Sequence, residues 1–317
     1  MLTIFSSLRL SALGSALPGN VSQGLIWGVM ALGVFITFKL LNFADLTVDG
    51  SMATGGCTTV MLILAGVNPC WAMLAAFGAG VAAGFATGLL NTKLGIPDIL
   101  SGILVQLSLY SVNLRILGGK ANQAISVDRY ALFISSRSTG RVIGLCLIFT
   151  AALIALMYWY FGTEQGCAIR ATGCNEKMAR AQGIHTEKMK VLALALSNGI
   201  VALAGGLLAQ YQGFADVSMG RGSIVIGLAA VIIGEVLCKS LFRRTARFYV
   251  RMAFIALGGI IYYIVIGIVL WLRMPTNDMK LFSAAIVALF LAVPYLKQKR
   301  RPHIRKAARE TEANRDA

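Results

Sequence analysis

Nine stretches of this chain are too long and too apolar to be core helices of a water-soluble domain. They lie at about 20–41, 51–67, 69–92, 96–117, 141–161, 190–212, 222–238, 249–272 and 279–296. A helix needs about 20 residues, at roughly 1.5 Å each, to cross the hydrocarbon of a bilayer. Inside it every backbone N–H and C=O must be satisfied within the protein. The predicted fold is therefore an all-α, polytopic transmembrane helical bundle. Charged residues make up 13% of the chain, about half the roughly 25% of a soluble domain. The block at 51–67 is short, and 96–117 opens on Gly95-Ile96-Pro97-Asp98, so either could be broken or re-entrant. The count lies between eight and ten, with nine preferred.

The ends frame a single transmembrane domain at 20–296. Residues 1–19 hold one basic residue, Arg9, and no apolar run leading to a small-residue cleavage site, so an N-terminal extracytoplasmic segment is expected rather than a cleaved signal. Residues 297–317 are expected to be a basic, disordered cytoplasmic tail. The six cysteines form no CxxC pair, and four lie in or beside apolar blocks, where a free thiol acts as a small hydrophobe. Cys167 and Cys174 share one polar segment, the only place where a metal or redox site would find two such ligands. No metal and no cofactor is expected.

A formal charge of +16 suggests nucleic acid until its placement is read. The tail carries eight Lys/Arg, and Lys239 to Arg251 carries five more with no acid. Short loops rich in Lys/Arg stay in the cytoplasm. The polar segment 162–190, with Arg170, Lys177, Arg180, Lys188 and Lys190, reads as inside too. Two blocks separate each of these segments from the next, so all three return to one face. Continuing backwards puts 118–140 and the N-terminus outside, against the grain of Lys120, Arg129 and Arg137. The charges thus orient a multi-pass protein of the cell inner membrane and meet lipid headgroups. Nucleic acid is not an expected partner.

Lipid gives helices no hydrophobic reason to associate, so close contact rests on small residues. Gly80, Gly84 and Gly88 recur every fourth residue along one helix face, and Gly24 with Gly28 repeats the spacing in the first block. They are candidate helix-packing positions, within the bundle or at a dimer or sliding interface. A short echo accompanies them. Asn42-Phe43-Ala44-Asp45 follows the first block and Gly213-Phe214-Ala215-Asp216 the sixth, each with a Gly-Ser pair and an apolar block beyond. Five spans intervene, so the copies fall on opposite faces, as in an inverted repeat whose polar turns line a transport path. Asn42, Asp45, Asp49, Asp98 and Asp216 are the candidate path residues.

Catalytic signatures are lacking. Gly234-Glu235-Val236-Leu237-Cys238-Lys239-Ser240 resembles a phosphate loop without its second glycine, and there is no Gly-x-Ser-x-Gly or His-Glu-x-x-His. His185 and His303 have no evident partner. Lys39, Asp45, Asp49, Asp98, Asp216 and Glu235 all fall near block ends, where hydration makes them cheap. The span middles hold only mild polar residues such as Gln106, Ser108 and Asn113. That pattern opposes a proton-driven carrier, which needs deep ionisable groups. It favours energy supplied from elsewhere.

The segment 162–190 carries the functional signal. Residues 174–182 suit a short helix in which Met178 and Ala181 share a face, bracketed by Gly173 and Gly183 as breakers. Gly166-x-Ala168-Ile169-Arg170-Ala171-x-Gly173-x-Asn175, then Ala179, Gly183-Ile184 and the later Ala204-Gly205-Gly206, resembles the permeases of branched-chain amino acid type ABC importers. The first span from Gly24 and the turn Asn42 to Gly50 resemble the same group, closest to a branch linked to tryptophan and other aromatic amino acids. The resemblance covers about 20–240.

It implies a type II-like importer permease, working as a homodimer or paired with a related permease. It also implies a cytosolic ATP-binding subunit and an extracytoplasmic solute-binding lipoprotein. The coupling helix would lie within 164–184, and Gly166, Arg170, Ala171, Gly173, Asn175, Ala179 and Gly183 match its motif. The Lys239–Arg251 loop is more basic than the family pattern. The chain itself would not be an enzyme, and an amino acid, aromatic or branched-chain, is the expected cargo. Sugar or nucleoside import by the same machinery, a secondary carrier or channel, and a membrane enzyme remain the alternatives.

Overall fold

The computed structural model describes residues 10–126, 130, 132–136, 139–242 and 247–271, with 281, 284, 285, 288 and 292. Apart from those five positions, the ninth apolar block and the basic tail lie outside the described residues. Among the described residues ten α-helices carry the fold: α1 (Leu10–Phe35), α2 (Thr47–Leu64), α3 (Pro69–Lys93), α4 (Asp98–Ile116), α5 (Thr139–Gly162), α6 (Glu164–Cys174), α7 (Glu176–Ala181), α8 (Thr186–Gln212), α9 (Ser223–Phe242) and α10 (Phe248–Trp271). Seven of them, α1, α3, α4, α5, α8, α9 and α10, are long and apolar enough to cross a membrane. The fold is all-α and polytopic.

The second block, α2, falls short because Thr47, Asp49, Ser51 and Thr54 fill its first half. It lies almost wholly buried among the others. Its threonines return hydroxyl protons to backbone carbonyls one turn back, Thr54 to Gly50 and Thr59 to Gly55, which leaves no unmet donor in an apolar setting. The fourth block is an unbroken 19-residue helix. Pro97 stands just before it, where a missing N–H costs nothing, so the broken-helix option for this block does not hold.

Helix α1 widens into a π-helical turn, Ile36–Leu41, and stops at Asn42, whose φ of 56° is left-handed. Gly213 ends α8 in the same conformation, at φ 79°. The sequence echo is thus also a geometric one. Asp45 Oδ1 accepts the Thr47 N–H at 2.9 Å and Asp216 Oδ1 accepts the Ser218 N–H at 2.6 Å, both two residues on. Gly19 lies by Tyr211 and Gly33 by Ser197 and Val201, so α1 and α8 run in opposite directions. The helices that follow repeat the pairings. α3 packs on α8 as α10 packs on α1, and α2–α3 pack as α9–α10 do.

The glycine rows make these contacts close. Cβ atoms at Gly80 and Gly84 would overlap the Asn198 and Leu194 carbonyls of α8, and one at Gly88 would meet Val191. Gly24 and Gly28 stand against Ile260 and Ala256 of α10. Both rows therefore face helices of the same chain.

Two short strands, β1 (Asn122–Ala124) and β2 (Phe214–Asp216), pair antiparallel with Gln123 opposite Ala215. Sequence periodicity gave no hint of them. The pairing ties the 118–126 loop to the end of α8 on one face. On the other, a Cβ at Gly173 would overlap the Leu40 carbonyl, which places α6 against the end of α1.

Candidate functional site: an inner elbow and a polar layer within the bundle

The polar segment forms an elbow of two helices. Thr163 Oγ1 accepts the Gly166 N–H and caps α6, and Asn175 Oδ1 accepts the Met178 N–H at 3.1 Å and caps α7. Gly183, at φ 81°, ends the elbow as a left-handed stop. Gly173 does not bracket a helix. It lies in the last turn of α6, where its missing side chain admits the Leu40–Leu41 backbone. The short helix expected over 174–182 is α7, trimmed to Glu176–Ala181, with Asn175 as the extended hinge between it and α6.

The seven motif residues divide by environment. Gly166 packs on the Tyr160–Phe161 backbone, and Ala179 is buried. Arg170 reaches over the Phe248 ring at 5.7 Å, and one of its guanidinium nitrogens meets Cys167 Sγ. Its Nε is buried without a partner among the described residues. Asn175 and Gly183 are exposed, as are Lys177, Met178 and Arg180 beside them. Behind this exposed rim, Glu176 binds Lys190 at 2.8 Å and Arg180 at 3.5 Å. The Lys190 ammonium holds the Glu176 carboxyl below its usual range, against a smaller opposing effect of burial. The elbow thus grips α1 and α10 with one face and offers a small basic surface with the other.

A second polar layer lies deep in the bundle. Asn198 stands near the midpoint of α8, where its Nδ2 donates to Asp45 Oδ2 at 2.7 Å and its Oδ1 accepts from Ser51 Oγ at 2.6 Å. Thr47 and Thr87 share a hydroxyl contact at 2.7 Å. Asp49, in the first turn of α2, accepts from Gly222 N–H at 2.9 Å, Ser223 Oγ at 2.8 Å and Ile224 N–H at 2.9 Å. One carboxylate therefore satisfies the open first turn of α9. Both α2 and α9 begin at this depth, because the chain turns back into the bundle after Leu41 and again after Val217.

The five candidate path residues are thus not one cluster. Asp45 is deep, only 2% exposed, and Asp49 is half-buried at the cavity wall. Asn42 is exposed at the end of α1, and Asp98 accepts from Asn91 Nδ2 at 2.7 Å in the α3–α4 turn. Asp216 lies on the opposite face in β2. The expectation that these acids sit at hydrated block ends fails for Asp45 and Glu235, which are buried. Glu235, 6% exposed, is ringed by Lys39 at 3.3 Å, Lys239 at 3.1 Å and Arg251 at 2.9 Å, which join the ends of α1, α9 and α10.

Sequence reasoning also passed over Asn198 and Arg221. An Asn at the centre of the 190–212 block was a readable signal. So was an arginine between Gly220 and Gly222, just after the repeated turn. Above Asp49 a cavity of about 440 Å3 is bounded by the start of α2, one face of α4 and the 217–221 turn, and Arg221 lines it.

Known proteins share this plan in sequence. A family profile described as branched-chain amino acid transport system / permease component matches residues 19–294. The tyrosine transport system permease protein of Clostridioides difficile (strain R20291) is 37% identical over 278 residues, 88% of this chain and 91% of the relative. An autoinducer 2 import system permease protein from Salmonella typhimurium (strain LT2) is 32% identical over 56% of this chain and 50% of the relative. Among solved structures, PsaBC from Streptococcus pneumoniae in complex with Fab aligns at a TM-score of 0.40 and 14% identity, over 82% of this chain and 95% of that one. The family implies a system with ATPase and solute-binding partners. With the family profile spanning nearly every described helix, the chain belongs to the branched-chain amino acid transport system permease components: it is a multi-pass permease subunit of an ABC importer, and not itself the catalytic subunit.

Proposed function

We propose that this permease imports an amino acid, of the aromatic class, through a path that ATP binding on a separate cytosolic subunit switches between outward and inward openings. The observation that carries the coupling role is the seat of the elbow. Gly173 lies on Leu40 at the end of α1, and Arg170 lies on Phe248 at the start of α10. A push on α6 and α7 therefore reaches two spans at once. Gly166, Arg170, Ala171 and Gly173 transmit it, while Asn175, Ala179 and Gly183 shape the end that meets the ATPase.

In this reading 162–190 and the C-terminal tail are cytoplasmic and the N-terminus is extracytoplasmic. Residues 20–296 are one transmembrane domain. A second permease copy, or a related permease, completes the pair, with two ATP-binding subunits below and a solute-binding lipoprotein outside. The cargo assignment rests on the relative named for tyrosine transport, which matches nearly end to end, whereas the autoinducer 2 relatives match about half of each chain. Substrate shifts the two openings only through different affinity for each.

Reconstitution of the chain with its ATPase and binding protein tests both parts. Uptake of labelled tyrosine that is sensitive to vanadate is the expected result, and Arg170→Glu should abolish substrate-stimulated ATP hydrolysis without blocking insertion. Unchanged stimulation in Arg170→Glu would refute the coupling role. Sidedness can be read on native thiols: Cys70, exposed at the start of α3, should react from outside intact cells, and Cys167 and Cys174 only after permeabilisation.

A further inference from the structure

Among the described residues, the cavity above Asp49 holds a cation with no counter-ion and an amide with no partner. Asn113 on α4 is fully buried, and neither its Nδ2 nor its Oδ1 has a hydrogen-bond partner among the described residues. Such a group is costly unless something else completes it. Gln106, Tyr110 and Asn113 follow one another at spacings of four and three, so they share one face of α4, and all three line the cavity. Across from them the Arg221 guanidinium lies 6.0 Å from the centre of the Tyr110 ring.

Among the described residues no carboxylate pairs with Arg221. Asp49 is the acid nearest in the lining, and its two oxygens already serve Gly222, Ser223 and Ile224. Arg221 is exposed where it lines the cavity, so its charge is open to an entering anion. Its planar fork of donors suits a carboxylate. The free amide of Asn113 supplies both a donor and an acceptor. The volume falls within the roughly 300–1,000 Å3 of small-molecule sites.

We propose that this cavity is the substrate subsite of the permease, where Arg221 takes the carboxylate of a zwitterionic amino acid, Asn113 and Gln106 take its ammonium and polar groups, and Tyr110 packs on its side chain. The proposal rests on the reading of this chain as an amino acid importer. Asp49 is a positioning residue here, since it fixes the turn that carries Arg221.

The complete importer in proteoliposomes, supplied with labelled L-tyrosine, L-tryptophan and L-leucine, tests the assignment at equal amounts of inserted permease. Arg221→Met should lower uptake about ten-fold or more, Arg221→Lys should recover part of it, and Asn113→Leu should lower it about three-fold or more. Uptake within about two-fold of the unmodified importer in both Arg221→Met and Asn113→Leu would overturn the subsite while leaving the importer reading intact. Should Arg221→Met fail to insert, Arg221→Lys and Asn113→Leu decide on the same terms. An unmodified importer that moves none of the three amino acids would sink the reading of the cargo, and the subsite with it.

Discussion

Asp49 and Ile224 tie together the starts of two helices within the bundle: Asp49 Oδ1, in the first turn of α2, accepts the Ile224 N–H of α9 at 2.9 Å. The same carboxylate also receives Gly222 N–H and Ser223 Oγ. A negative charge at a helix N-terminus is favourable, and more so where water is scarce. Together they hold the 217–222 turn, and hence Arg221, against the bundle.

Asp49→Asn puts an amide NH2 where one oxygen met backbone N–H donors. Charge-assisted bonds of this kind contribute about 1.5–3 kcal/mol. The variant should still insert but inactivate at a lower temperature in detergent, with reduced uptake in the reconstituted importer. A Tm equal to that of the unmodified chain would mean that the carboxylate is not what holds α9.

Much of this arrangement could be read in the sequence, and the unread part has a common cause. Block length and apolarity gave the spans. Four-residue glycine spacing gave faces that do meet helices closely, and the Phe-Ala-Asp echo gave two turns of matching geometry. Depth was not legible. Asp45 and Asp49 follow an apolar block, so they look like residues at a hydrated end. Only the left-handed Asn42 and the return of the chain beside Asn198 put Asp45 inside. The pairing of β1 with β2 links residues some ninety positions apart and has no local signal.

Gly173 offers a sharper test of the elbow than its charges do. A Cβ there would overlap the Leu40 carbonyl, whereas one at Gly162, at the end of α5, would meet nothing within 4 Å. Overpacking of this kind costs about 1–3 kcal/mol, and here the strain would lift α6 off α1. Gly173→Ala should therefore uncouple ATP hydrolysis from uptake, lowering the solute moved per ATP, while Gly162→Ala should leave the ratio unchanged. Equal ratios in the two variants would mean that contact with Leu40 carries no coupling.

The seam of α3 on α8 is predicted to be equally intolerant. A Cβ at Gly84 would overlap the Leu194 carbonyl, yet one at Gly78 on the same helix would meet nothing within 4 Å. Gly84→Val should cost about 1–3 kcal/mol and appear as lower yield and a lower Tm in detergent. Gly78→Ala should match the unmodified chain or slightly exceed it, since alanine is the better helix former by about 1 kcal/mol.

Glu235 holds three cations that belong to three helix ends. Its removal leaves Lys39, Lys239 and Arg251 facing one another with their shared acid gone. The cations left behind are 35%, 66% and 39% exposed, so water takes up part of the loss, and Glu235→Gln should cost about 1–2 kcal/mol. Adding Lys39→Met should recover part of the loss by removing one of the cations left unpaired. Thermal unfolding of the two variants side by side reads this coupling, and strictly additive losses would show that the ring does not act as a unit.

The elbow should loosen in acid, through Glu176. Hydrogen bonding to Lys190 at 2.8 Å holds its carboxyl below the ordinary value of 4.5. A depressed folded pKa means that the stabilisation is present in full above the ordinary value and is lost as pH falls through the folded one. Nothing should change between pH 8 and 6. Below about 4.5, amide exchange in 175–186 should rise faster than in α6, whose cap is the Thr163 hydroxyl. Glu176→Gln should show the faster exchange already at neutral pH and lose the acid response. An acid response that survives in Glu176→Gln would assign the loosening to another group.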